Sequence, residues 1–160
     1  MPLDAETFDS LIDTVRRFVA ERLRPLEERV AEEDEVPAEI VGEMRDMGLF
    51  GLSIPEEYGG LGLTMSEEVR VALEFGRTTP AFRSVFGTNV GIGSQGLVMA
   101  GSDAQKRLWL PRIASGEIVT SFALTEPAFF ASIMFSSAAG TSRSQSTLTR
   151  SAGDMASCPP

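Results

Sequence analysis

Any chemistry in this chain of 160 residues has to do without histidine and with one cysteine, Cys158. Triads that need a histidine base are excluded, and one thiolate is too few for a zinc site. Proton or redox chemistry therefore falls to carboxylates, backbone groups or an organic cofactor. Glu56 and Glu57 follow Pro55 in a glycine-rich segment. They suit acid–base work and equally suit a solvated loop. Gly59-Gly60-Leu61-Gly62 lacks the leading strand, the following helix and the Lys-Ser/Thr of a phosphate loop, so these glycines read as turn formers. Phe122-Ala123-Leu124-Thr125-Glu126-Pro127 runs from an extended segment into a turn. It reads either as a strand end closed by a capped turn or as open backbone plus a hydroxyl that can hold a ligand. An apolar segment carrying Gly87, Gly91, Gly93 and Gly96 also has two compatible readings. One is a tightly packed central helix and the other is a wall of a cleft for an apolar ligand. Trp109 reads as core.

The elements that position these residues are mostly helical. Phe8, Leu11, Ile12, Val15, Phe18, Val19 and Leu23 form one stripe at spacings of three and four, predicting a helix over 4–24 capped by Asp4. Pro25 lacks a backbone donor and should kink or restart it; 26–34 is helical by propensity and acidic. A second helix starts at Pro37, turns Ile40, Val41, Met44 and Met47 inward and stops at Gly48. The loop 49–63 follows. Ser66 caps a third helix with Val69, Leu73 and Phe75 as core. Thr79 and Pro80 begin a fourth, over 81–99. Each glycine there lowers helix stability by about 1 kcal/mol against alanine, which points to close approach by a neighbour. Ser102 and Gln105 form a capping box for a fifth helix, through Trp109 to Ile113. The β-branched run Ile118–Leu124 then predicts a strand.

Composition sets outer limits. The formal net charge of −9 disfavours nonspecific nucleic-acid binding and anionic membrane surfaces. No run of about 18 apolar residues predicts a membrane span. The acidic N-terminus lacks the basic and apolar regions of a signal peptide, so a cytoplasmic chain is expected. Beyond Pro127 the composition breaks: residues 128–160 contain eight serines and a single acid, Asp154, of the chain's 23. Little order is expected there, because few apolar groups offset the entropy of ordering.

Four segments in order carry a family resemblance: Met47-Gly48-Leu49-Phe50-Gly51-Leu52-Ser53-Ile54-Pro55-Glu56-Glu57-Tyr58-Gly59-Gly60, Ala100-Gly101-Ser102-Asp103-Ala104-Gln105-Lys106, Leu110-Pro111-Arg112-Ile113-Ala114-Ser115-Gly116-Glu117 and Ala123-Leu124-Thr125-Glu126-Pro127. Residues 1–127 resemble the N-terminal part of acyl-CoA dehydrogenases. The resemblance implies an all-α N-terminal domain of about five helices in an orthogonal bundle (1–115), then the first strand of a β-domain (116–127), with 128–160 outside the family pattern. It implies FAD as cofactor, an acyl-CoA substrate, an electron-transfer flavoprotein as acceptor and a homotetramer, with no nucleic acid and no membrane partner. Carried over by position, Phe122, Ala123, Leu124 and Thr125 match the flavin-contacting strand segment. Thr88, Ile92 and Gly93 match the helix that lines the acyl cavity. The family's catalytic carboxylate belongs to a C-terminal bundle, so no catalytic residue is assigned here and the chain alone is expected to be inactive. After Thr-Glu-Pro the family has a Gly-Ser-Asp turn; Ala128-Phe129-Phe130-Ala131-Ser132 stands there instead, and the tail looks like a shifted reading frame or a scrambled end. Two other readings stay open: a non-enzymatic helical module that associates with a partner or a full-length homologue, and a flavin oxidase or monooxygenase on the same scaffold.

Overall fold

The computed structural model describes residues 4–123 and, beyond them, the strands 132–137 and 146–148; from Phe122 onward the backbone alone is described. The helices are α1 (Ala5–Phe18), α2 (Glu27–Glu33), α3 (Ala38–Asp46), α4 (Met65–Phe75), α5 (Pro80–Thr88), α6 (Gln95–Ala100) and α7 (Asp103–Ala114). A π-turn over Val19–Leu23 and a 3-10 turn over Arg24–Leu26 make α1 and α2 one unbroken helical run. Pro25 cannot donate a backbone bond, and the widened and tightened turns on either side absorb that loss. A second π-turn, Asn89–Gly93, joins α5 to α6. Merged in this way, the seven α-helices form the five helical runs that the residue spacing predicts.

Local signals place most helix ends. Asp4 caps α1 by accepting from the Thr7 N–H at 2.9 Å. Pro37 stands at the N-cap of α3, one residue before the position the sequence suggests. Thr79 caps α5 with Pro80 in its first turn. Ser102 and Gln105 close the capping box of α7. In the loop 49–63, Gly59 and Gly62 take positive φ, at 82° and 61°. Glu56 and Glu57 are exposed there on a short 3-10 turn.

Two core clusters organise the body. The larger unites Phe8, Ile12, Val15, Phe18, Val19 and Leu23 of the first run with Ile40, Met44, Leu49, Phe50, Val71, Phe75, Phe82, Phe86 and Val90. Phe86 sits edge-on to Phe75 and Phe50, with ring centroids 4.9 and 6.3 Å away. The smaller cluster gathers Ile54, Leu110, Ile113, Ala114 and Ile118, with Trp109 packed against it.

The third helix departs from expectation. Its N-cap is Thr64, not Ser66: the Thr64 hydroxyl accepts from the Glu67 N–H while the Glu67 carboxylate accepts from the Thr64 N–H. Phe75 is buried as expected, but Val69 and Leu73, also expected in the core, are 49% and 66% exposed, and Val71 is buried in their place. The helix is apolar on two faces, so spacing alone cannot choose between them. Packing against α1 and α5 chooses, and Glu74 is buried on that side, held by Arg16 of α1 at 2.9 Å and by Arg77 at 3.0 Å.

The expected central helix over 81–99 is central only in part. Phe82, Phe86, Val90, Gly93 and Ser94 are buried, whereas Ile92 and Met99 are exposed and α6 buries no residue. Strand β1 (Ile118–Ala123) follows α7 and pairs antiparallel with β2 (Ser132–Ser137), which pairs with β3 (Ser146–Leu148). These last two strands fall within 128–160, where composition favours little order. No helix among the described residues is long and apolar enough to cross a membrane.

Candidate flavin-facing site

The π-turn decides what the central helix presents to the strand. A π-turn replaces the i→i+4 bonds of the helix with i→i+5 bonds and so rotates the side chains that follow. Here the Val90 carbonyl accepts from the Ser53 hydroxyl at 2.6 Å and from the Ser94 hydroxyl at 3.1 Å. Ser53 comes from the loop 49–63, so this loop is tied to the turn.

Asn89 opens the π-turn and is wholly buried. Its Nδ2 donates to the Ile113 carbonyl at 3.1 Å and the Ile118 carbonyl at 2.8 Å. Its Oδ1 accepts from the Thr120 N–H at 2.8 Å and the Thr120 hydroxyl at 3.0 Å. A buried amide pays a desolvation cost unless its donors and acceptors are used, and here both Nδ2 hydrogens and Oδ1 are engaged. One side chain therefore joins the end of α7, the start of β1 and the middle of the helical run.

Gly93 closes the same turn. A Cβ there would lie 1.7 Å from Thr120 Oγ1 and 2.8 Å from the Thr88 carbonyl. The strand passes so close that no side chain fits, which is the close approach that the glycines in this helix predict. Gly91 has open space around it, so that reason does not extend to every glycine in the segment.

The structure thus brings part of the expected set together. Thr88 is half-buried at the end of α5, Ile92 is 59% exposed on the π-turn, and Gly93 is buried against Thr120. Phe122 and Ala123 end β1 on the same strand, paired with Ile133 and Ser132. Leu124 and Thr125 lie outside the described residues. Thr120 of β1 packs on Gly93 of the π-turn, and the same turn carries the exposed apolar Ile92. Two open surface grooves lie elsewhere: one over Ser10, Asp13, Thr14, Arg16 and Arg17, the other at Arg29, Glu33, Glu35, Pro37, Ala38 and Glu39.

The site carries little charge. Asn89, Ser53, Gly93, Ser94 and Thr120 include no ionisable group. Further along α5, Arg83 acts on Glu68 of α4, whose carboxyl burial pushes above the ordinary range while the arginine opposes that rise. No cluster of three or more His, Cys, Asp or Glu residues able to hold a metal ion occurs among the described residues.

Residues 5–117 match the family model of the acyl-CoA dehydrogenase N-terminal domain. The chain belongs to the acyl-CoA dehydrogenase family. It is 42% identical over 123 residues to (2S)-methylsuccinyl-CoA dehydrogenase of Cereibacter sphaeroides, covering 76% of this chain and 22% of that protein. The solved acyl-CoA dehydrogenase of Bacillus anthracis, complexed with FAD, superposes with a TM-score of 0.65 at 34% identity, covering 77% of this chain and 21% of that one. A chain solved in work on the electron transferring flavoprotein of Acidaminococcus fermentans and flavin-based electron bifurcation gives 0.69 at 27% identity, covering 80% and 34%. The chain spans less than a third of the length of the curated relatives it matches, from 13% of one to 30% of another.

Asn89, Ser53 and Thr120 were not among the residues that sequence reasoning selects. One signal was present: Asn89 falls three residues after Phe86 and next to Val90, on the apolar side of a glycine-bearing helix. A polar residue in such a place needs partners, and its partners come from segments 24 and 31 residues away.

Proposed function

We propose that this chain supplies the helical wall and the first flavin-facing strand of an FAD-dependent acyl-CoA dehydrogenase, an oxidoreductase that acts on the Cα–Cβ bond of acyl thioesters in fatty-acid or amino-acid catabolism. The observation that carries the reading is the buried Asn89, whose bonds to Ile118 and Thr120 fix β1 against the π-turn that also carries the exposed Ile92. That arrangement holds β1 against the helical body. Family membership and the similarity to an FAD complex support it.

In this reading the backbones of Phe122, Ala123, Leu124 and Thr125 and the Thr125 hydroxyl hold one edge of the flavin. Thr88, Ile92 and Gly93 line the acyl side. When bound, FAD supplies the hydride acceptor. The proton-abstracting carboxylate comes from a helical bundle outside these residues, so the isolated chain should not turn over acyl-CoA. Residues 1–115 form the helical domain and 116–127 open a β-domain, with 128–160 apart from the family pattern. The partners are acyl-CoA and an electron-transfer flavoprotein, in a cytoplasmic homotetramer.

Titration of the purified chain with FAD, followed by flavin absorbance and fluorescence, tests the reading. Saturable binding with a shifted flavin spectrum is the expected result. A cooperative helical melt with an unperturbed flavin spectrum would overturn it. One observation favours a second reading, a helical module that docks a protein partner. Met65, Val69 and Leu73 repeat every fourth residue on one face of α4 and are 74%, 49% and 66% exposed. Sedimentation separates the two: self-association without flavin favours docking.

A further inference from the structure

We infer that Asn89 is a positioning residue for the strand that faces the flavin: its side chain is the latch that sets where the end of β1 stands relative to the helical body. The inference rests on the flavin-facing reading of β1, and it adds a residue that touches neither cofactor nor substrate.

Three observations support it. First, the bonds are two-sided. Oδ1 takes the N–H and the hydroxyl of Thr120, and Nδ2 gives to the carbonyls of Ile113 and Ile118. The turn between α7 and β1 is therefore gripped at both ends by one amide. Second, the grip is exclusive to an amide of this length. An aspartate of the same shape keeps the acceptor but faces two carbonyls with no proton to give. An alanine leaves those carbonyls and the Thr120 N–H without this partner in a buried site. Third, the π-turn brings the latch to bear. Gly93, at the other end of the turn, leaves room for Thr120, and Ser53 and Ser94 both donate to the Val90 carbonyl within it. Other helix–helix contacts, such as those of Phe8, Val15 and Val71 in the larger cluster, do not pass through Asn89. Loss of the latch should thus free the strand before it unfolds the body.

The test compares the full chain with Asn89→Asp, Asn89→Ala and Thr120→Val by amide hydrogen exchange, with and without FAD. In both Asn89 variants at neutral pH, the amides of Val119 to Ala123 should lose at least tenfold in protection while those of α1 and α4 keep theirs. FAD affinity should fall by a similar factor. Thr120→Val, which keeps the backbone N–H bond and loses only the hydroxyl's, should show a smaller loss of both. Unchanged strand protection in both Asn89 variants overturns the inference. So does equal loss across strand and helices at conditions where Thr120→Val stays folded, which would make Asn89 a general stability residue. If the unaltered chain does not bind FAD, the flavin-facing reading fails by itself, and strand protection still decides whether Asn89 is the latch.

Discussion

At Gly93 the whole helix–strand contact depends on a missing side chain. A methyl group there would overlap Thr120 Oγ1, at 1.7 Å, and press on the Thr88 carbonyl. Neither is the far end of a flexible side chain, so relief has to come from moving the strand or opening the turn. Gly93→Ala gains a little in helix propensity, less than about 1 kcal/mol. Overpacking of this kind costs about 1–3 kcal/mol and outweighs that gain. The variant should unfold at lower urea concentration than the parent, with the slope of the transition unchanged. Gly91, with nothing within 4 Å of its added Cβ, is the internal control. Gly91→Ala should be neutral or stabilising in the same measurement. If both variants behave alike, the close approach of Thr120 is not what holds glycine at 93.

Helix α4 shows how far local signals reach. Thr64→Ala removes the capping hydroxyl and should cost about 1 kcal/mol. The Thr64 hydroxyl and N–H hold the Glu67 carboxyl below its ordinary range. A carboxyl lowered in the folded state stabilises the helix above its unfolded value, and that contribution is lost as pH falls through the folded value. The first-turn amides of α4 should therefore lose protection, measured against their intrinsic exchange rates at each pH, as the solution is acidified below pH about 4, and Thr64→Ala should abolish this pH dependence. An unaltered acid response in the variant would contradict the capping role. The same helix marks the limit of sequence reading. The Thr-x-x-Glu signal was present at 64–67, yet Ser66 looks an equally good cap when helix starts are judged residue by residue. The inward face was legible only at Phe75, because Val69 and Leu73 form an apolar stripe of the same spacing as Val71 and Phe75. What resolves the competition is contact with α1, including the Arg16–Glu74 pair, 58 residues apart in the chain. Elements with one apolar stripe, such as α1, and elements with strong caps, such as α7, were readable throughout. The Asn89 network was not, since its partners are backbone groups that carry no residue-type signature.

For the whole molecule, the two core clusters meet where function is proposed. The larger joins α1, α3, α4, α5 and Leu49, Phe50, Leu52 and Leu63 of the loop 49–63, and the smaller joins Ile54 of that loop, α7 and the start of β1. Ser53, Asn89, Gly93 and Thr120 form a seam whose bonds link the loop 49–63, the π-turn, the end of α7 and β1. The surface is acidic, with a net charge of −9. Its ion pairs, such as Arg22–Glu43 and Arg29–Glu33, are largely solvent-facing and contribute little to stability each. The apolar face of Met65, Val69 and Leu73 on α4 stands apart from the seam, so docking there and flavin contact at β1 are separable properties. The most direct measurement is a map of backbone amide shifts in the labelled chain as FAD is added. Changes concentrated at Phe122, Ala123, Leu124 and Thr125, with Thr88 and Ile92 next, are the predicted result. Changes confined to the groove around Ser10, Arg16 and Arg17, or no changes in a chain whose helices are folded, would contradict the assignment of this strand and helix turn as a flavin-facing wall.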